Sequence, residues 1–199
     1  MTRPIILDAV EELGFKIFES GKDYDLNIIG ARNPEQEPNV FNDRIHVCYQ
    51  VGGIWVEEIF ECTTDPGSYW LNRPMRQSGT AVLKHPQQMR GTFELGYHKG
   101  NLHHRCLRQV KEVDVWRDAN KDEVIDYGSM SDSTAWAIQI HRASSKYKSQ
   151  RIDRYSAGCQ VISDPVKYRR FIELCDLQVS TNSWKTFTYT LIEGCYDDA

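Results

Sequence analysis

Residues 44–62 narrow the choice of fold more than any other stretch of the chain. Ile45, Val47, Tyr49 and Val51 alternate with Arg44, His46, Cys48 and Gln50, and residues 54–62 return after Gly52-Gly53. Alternation at period two puts every second side chain on one face of a strand. A Gly-Gly pair tolerates positive φ at both central positions of a tight hairpin turn. Slipping the register by one residue would turn the apolar set to water, so the pairing is specified. A chain carrying such a hairpin has to bury a sheet face.

The rest of the chain keeps the same rhythm of short strands and turns. Residues 15–18, 24–30, 79–83, 91–96, 102–109, 113–116 and 187–192 read as strands, punctuated by Ser20-Gly21, His85-Pro86 and the two prolines between residues 31 and 39. The apolar run 135–140 reads as a central strand closed by His141, and residues 71–78 read as irregular. Two stretches read as helices. Ile6, Val10 and Leu13 have helical spacing before Gly14, and Asp164-Pro165 is a good cap and first helical residue. Beyond it Tyr168, Phe171, Ile172 and Cys175 fall at i, i+3, i+4 and i+7, one buried face. The expectation is one mainly-β domain over residues 1–199 with one or two short helices, and a frayed tail at 196–199.

Charge and composition exclude some functions. A net charge of −4 argues against a nucleic-acid binder held by phosphate contacts. No apolar run approaches the ~20 residues needed to span a bilayer. The N-terminal apolar patch is broken by Asp8, Glu11 and Glu12, so no secretory signal is expected and synthesis in the cytoplasm is. Six cysteines show no C-x-x-C pair and read as reduced thiols, although Cys48 and Cys62, on two arms of one hairpin, leave a disulfide open. His103-His104 with Cys106 reads as a strand or surface position in preference to a metal site. In residues 117–126, Asp118, Asn120 and Asp122 form a D-x-N-x-D run whose alternate oxygens could wrap Ca²⁺. Glu123 stands where such a loop wants Gly and Ser129 where a bidentate Glu would close it, so a solvated Asp/Asn turn is the competing reading.

One constellation carries covalent chemistry. His141 closes an apolar run, fourteen basic and polar residues follow (142–155), and Ser156-Ala157-Gly158-Cys159 makes a small-residue turn. A thiolate is a strong nucleophile, and a nearby imidazole can take its proton and hold the charge. Catalytic groups concentrate on loops held by a rigid scaffold. Cys159 and His141 are therefore the expected nucleophile and base.

The pattern of a histidine, fourteen residues, then Ser-x-Gly-Cys resembles the signature of L,D-transpeptidase (YkuD-type) catalytic domains over residues 134–161. The phrases around His141 and Cys159 also resemble divergent bacteriophage members. The resemblance implies a β-sandwich or barrel-like fold and acyl transfer through a thioester on peptidoglycan stem peptides, with no cofactor. It implies catalytic roles for Cys159, His141, Gly158 and Ser156: an ion pair of thiolate and imidazolium, backbone N–H groups of Gly158 and Cys159 facing the oxyanion, and Ser156 orienting the turn or the ring. Ala157 stands where many members have a second histidine, and Val161 where many have Arg or Asn. Carboxylate recognition then passes to Arg142, or to Arg151 and Arg154. The site of action it implies is the bacterial cell wall, reached in a virion or at lysis. Three rivals stand beside it: a catalytically degenerate domain of the same fold, binding wall peptide or serving as a virion part; a calcium-stabilised β-module; and an unrelated cysteine protease.

Overall fold

The computed structural model describes residues 2–196 apart from 36, 38, 126, 128 and 129. It is mainly β. Helix α1 (Ile5–Glu12) precedes strands β1 (Asn27–Arg32), β2 (Asp43–Val51) and β3 (Ile54–Thr63), a short helix α2 (Ser68–Asn72), and strands β4 (Thr80–Leu83), β5 (Gln87–Tyr97), β6 (Arg105–Gln109), β7 (Val113–Asp118), β8 (Ser131–Ala135), β9 (Ile140–Arg142) and β10 (Gln160–Ile162). Helix α3 (Pro165–Asn182) and strand β11 (Thr186–Glu193) follow. Eight strands close a barrel in the order β1-β11-β5-β6-β9-β10-β3-β2, and β4-β7-β8 form a separate three-stranded sheet. Pairing in the barrel is antiparallel except β1 with β11 and β9 with β10.

The hairpin forms as its alternation requires. Val51 pairs with Ile54 across Gly52 and Gly53, whose φ values are 56° and 77°. Ile45, Val47 and Tyr49 enter the main core. The opposite face is not solvated: His46 and Cys48 are fully buried there, where α1 lays Ile6, Leu7 and Val10 over the strands. Cys62 belongs to the main core while Cys48 belongs to the outer cluster under α1, so no disulfide joins them, and all six cysteines are free thiols.

Three expectations change. The stretch 15–18 is extended but joins no ladder, because side-chain amides take its backbone groups. Lys16 N–H donates to Gln88 Oε1 (3.0 Å) and Phe18 N–H to Asn27 Oδ1 (2.7 Å), and each amide NH₂ donates back to the carbonyl of the same residue. The apolar run 135–140 is divided between two sheets. Ala135 ends β8, Trp136 is exposed, Ala137 has φ 69°, and the barrel resumes at Ile140. Gln109 spans the break, donating to Ala135 O (2.8 Å) and accepting from Ile138 N–H (2.7 Å). Three helices form in place of one or two short ones. Helix α2 starts at Ser68 and ends at Asn72, inside the stretch 71–78 read as irregular, and α3 runs 18 residues. Its start is as expected, with Asp164 Oδ1 accepting from Val166 N–H at 2.7 Å, and Tyr168, Phe171, Ile172 and Cys175 are buried. A buried aromatic or aliphatic side chain of this size contributes about 1.5–3 kcal/mol, which holds α3 against the barrel. Residues 197–199 lie outside the described part of the chain.

A buried cation ties the small sheet to the barrel. Arg32 on β1 is fully buried, donates to Thr64 Oγ1 (2.8 Å), Thr64 O (2.9 Å) and Leu83 O of β4 (3.0 Å), and pairs with Asp65 (3.1 Å). Loss of that partner set would leave a charge uncompensated in the interior, so the join between sheet and barrel is strongly specified.

Candidate active site

Cys159 stands one residue before β10, and the parallel register puts Val161 beside His141. Gln160 N–H donates to Gln139 O at 2.9 Å, so the pairing begins directly after the cysteine. Cys159, Val161 and His141 thus share the outer face of the barrel, while Ile140 and Ile162 face its core. Two residues of rise and one strand spacing put the Cα atoms of Cys159 and His141 roughly 8 Å apart, a separation their two side chains together can span.

The turn that presents the sulfur is braced from within. Ser156 is fully buried, donates to Cys159 O (2.7 Å) and accepts from Gly158 N–H (3.2 Å). Ser156 therefore orients the turn and not the imidazole. Gly158 has φ 115°, and a Cβ there would lie 2.5 Å from Ala81 O on β4. Only glycine lets the turn pack this closely on the small sheet.

His141 is 3% exposed. Its Nδ1 lies 2.8 Å from Arg142 O, a carbonyl that can only accept. Nδ1 therefore carries the hydrogen, and Nε2, buried and without a partner, carries the lone pair. Burial, then the neighbouring His98, hold the ring pKa down at about 3. Burial also raises the Cys159 thiol, against the lowering effects of the Gln139 backbone N–H and of Lys99. The thiol donates to Ala137 O at 3.6 Å. Burial thus works against the expected ion pair at rest, and no hydrogen bond joins the Cys159 thiol to His141 Nε2.

Two further histidines belong to the cluster. The His98 and His104 rings lie 4.3 and 5.4 Å from that of His141, and 4.8 Å from each other. His98 Nδ1 bonds Gln139 Oε1 at 2.6 Å, and the Cys106 thiol donates to the same oxygen at 3.5 Å. Burial holds His104 down to about 4. These residues escape a motif search because they lie upstream of it. The signal that would find them is hairpin register: Tyr97 pairs with Arg105, which puts His98 opposite His104.

Cys159, His141, His98, His104 and Gln139 line a cleft of about 480 Å³ together with Trp70, Trp136 and Tyr155. Arg142 and Arg154, expected from the sequence, both line it, whereas Arg151 does not. Arg154 stacks on Tyr69 at 4.1 Å, and neither arginine has an ion-pair partner among the described residues. Arg76, Lys99 and Arg117 also line the cleft, and no Asp or Glu among the described residues does. Five cations without a carboxylate among the described lining residues give this cleft a positive local field on a chain of net charge −4. A larger groove of about 920 Å³ lies elsewhere, around Arg90, Lys111 and Trp184, and holds no cysteine or histidine.

No residue of the Asp118–Asp122 stretch lines this cleft. Asp118 ends β7 with its side chain buried, and the oxygens of Asn120 and Asp122 accept from Asp122 N–H (3.3 Å) and Val124 N–H (2.8 Å). Oxygens turned onto their own loop describe an Asx turn. Asp126 and Ser129 lie outside the described residues, and among those described no group of three His, Cys, Asp or Glu is arranged to hold a metal.

Comparison of the chain with protein-family models, curated proteins and solved structures gave no match. No helix among the described residues is long and apolar enough to cross a membrane.

Proposed function

We propose that the protein is a cysteine-dependent acyltransferase or peptidase acting on an anionic peptide, with the stem peptide of peptidoglycan as substrate class and an L,D-transpeptidase-like thioester mechanism. The observation that carries this reading is a part-exposed cysteine on the floor of a cationic cleft, next to a histidine with an unpartnered Nε2. The stem-peptide identification itself rests on the His141 to Cys159 sequence pattern. A phage-type role at the cell wall rests on the same pattern.

The chemistry that fits these groups is general-base activation rather than a standing ion pair. The Cys159 thiol proton passes to His141 Nε2 as sulfur attacks the peptide carbonyl carbon. The Cys159 N–H faces the oxyanion, since the Gly158 N–H is committed to Ser156. One such donor is worth about 3 kcal/mol in the transition state. The C–N bond then breaks, the proton held on His141 goes to the leaving amine, and a thioester remains. Water or an acceptor amine takes the acyl group and returns the thiol. Cys159→Ala is expected to abolish turnover of tetrapeptide stems and of purified sacculi while leaving the melting midpoint within a few degrees, read by product mass and by calorimetry. Retained turnover would end the assignment.

A second reading, a wall-binding domain without turnover, is favoured by the missing thiol–imidazole hydrogen bond and the raised thiol. Sacculus pull-down by a wild-type protein that releases no product would establish it.

A further inference from the structure

The two arginines that the small sheet and its preceding loop bring to the cleft are set as a pair. Arg117 lies on β7 directly across from Ala81 of β4, and paired residues of antiparallel strands point to one face. On that face the Ala81 backbone and methyl meet the Gly158 turn, so the Arg117 side chain is directed to the side where Cys159 is presented. Arg117 is only 6% exposed. Its Nη2 donates to Thr134 O at 2.9 Å, but its Nε is buried with no partner, and no carboxylate among the described residues pairs with it. Arg76, exposed on the loop before β4, lines the same cleft, and burial, then the Arg76 charge, lowers the Arg117 pKa. A buried guanidinium beside a second cation, with a donor left over and no counter-ion, is costly unless an anion joins it.

We propose that Arg117 and Arg76 form a carboxylate-binding subsite, which fixes an acidic residue of the peptide substrate relative to the Cys159 sulfur. The planar guanidinium of Arg117 presents Nε–H toward one carboxylate oxygen, and Arg76 closes over the other from the loop. The subsite comes from the small sheet and the loop before it, whereas Arg142 lies on β9 of the barrel. It deepens the peptide reading given above and rests on it for the identity of the substrate, though not for the presence of an anion site.

The test separates the two. Melting midpoints in sodium glutarate and in sodium chloride at equal ionic strength report anion binding without turnover. Glutarate is expected to raise the wild-type midpoint above chloride, and Arg76→Gln and Arg117→Gln are each expected to lose most of that rise. Arg76 is exposed, so its variant folds even if the Arg117 variant does not. In turnover, the preference for a stem peptide with free carboxylates over its amidated form should fall about 10- to 100-fold in Arg76→Gln, the range of one charge-assisted hydrogen bond. An equal glutarate response in wild type and Arg76→Gln overturns the subsite, whatever the enzyme does. A larger rise in inorganic phosphate than in glutarate overturns the carboxylate assignment in favour of a phosphate ligand. A glutarate response that depends on both arginines, in a protein that cleaves no stem peptide, upholds the anion site and ends the peptidoglycan reading alone.

Discussion

A thiol and an imidazole that are both uncharged can still act together, provided the ring nitrogen nearest the thiol carries the lone pair. His141 has its lone pair on the unpartnered Nε2 through one contact, Nδ1–H to Arg142 O at 2.8 Å. Burial keeps the ring from taking a proton from solvent, since its pKa sits at about 3. The same burial raises the thiol, so thiolate is scarce at neutral pH. Alkylation of Cys159 by iodoacetamide should therefore be slow at pH 6. It should climb about tenfold per pH unit through 7 to 8 and level off only beyond the ordinary thiol range near 8.5. Peptide-mapped labelling rates check this, with exposed Cys195 as the internal reference. A plateau already reached at pH 6 would restore the resting ion pair.

At the scale of elements, the site depends on a turn docked against a sheet that is not its own. The 156–159 turn belongs to the barrel chain path, yet Gly158 abuts Ala81 O on β4. Gly158→Ala adds a methyl where φ is 115° and backbone oxygen stands 2.5 Å away. Strain and overpacking together are expected to destabilise by about 2–5 kcal/mol. A urea unfolding series reads this directly, and a loss under about 1 kcal/mol would mean that the turn can lift from β4. The Gln109 bridge makes the same point about the route between sheets. Its amide replaces the ladder bonds that the chain gives up between Ala135 and Ile138, and this is why an apolar run that reads as one strand serves two sheets. No periodicity in residues 135–140 could reveal this, because the bridging side chain lies 26 residues upstream of Ala135.

Across the whole molecule, histidines partly or fully withdrawn from water make acid the weak side of its stability. His85, His104 and His141 have folded pKa values of about 4, 4 and 3, each depressed first by burial. The unfolded chain takes up these protons near pH 6.5, so between about pH 6.5 and 4 it binds more protons than the folded one. Stability is complete above that window and is lost as pH falls through it. Asp43 acts in the opposite sense. Burial and Asp65 raise it to about 6, so between pH 6 and 4 the folded chain holds a proton that the unfolded one lacks. His98, also lowered by burial, adds to the same side, so four groups against one leave a net loss, and urea midpoints taken from pH 7 down to pH 4 should fall. A flat profile over that range would mean that the histidines are open to water.

Much of this protein could be read along the chain. The 44–62 hairpin, the Asp164 cap of α3 and its buried stripe, and the final strand all follow from local pattern, because turn chemistry, period and short-range spacing are properties of adjacent residues. The closed barrel with its parallel β9–β10 pair, the division of residues 135–140, the burial that makes thiol and imidazole neutral, and the meeting of His98, His104, Arg76 and Arg117 around one cleft do not. Those depend on strands far apart in sequence lying one strand spacing apart in space. Desolvation and charge act across that short distance whatever the separation along the backbone.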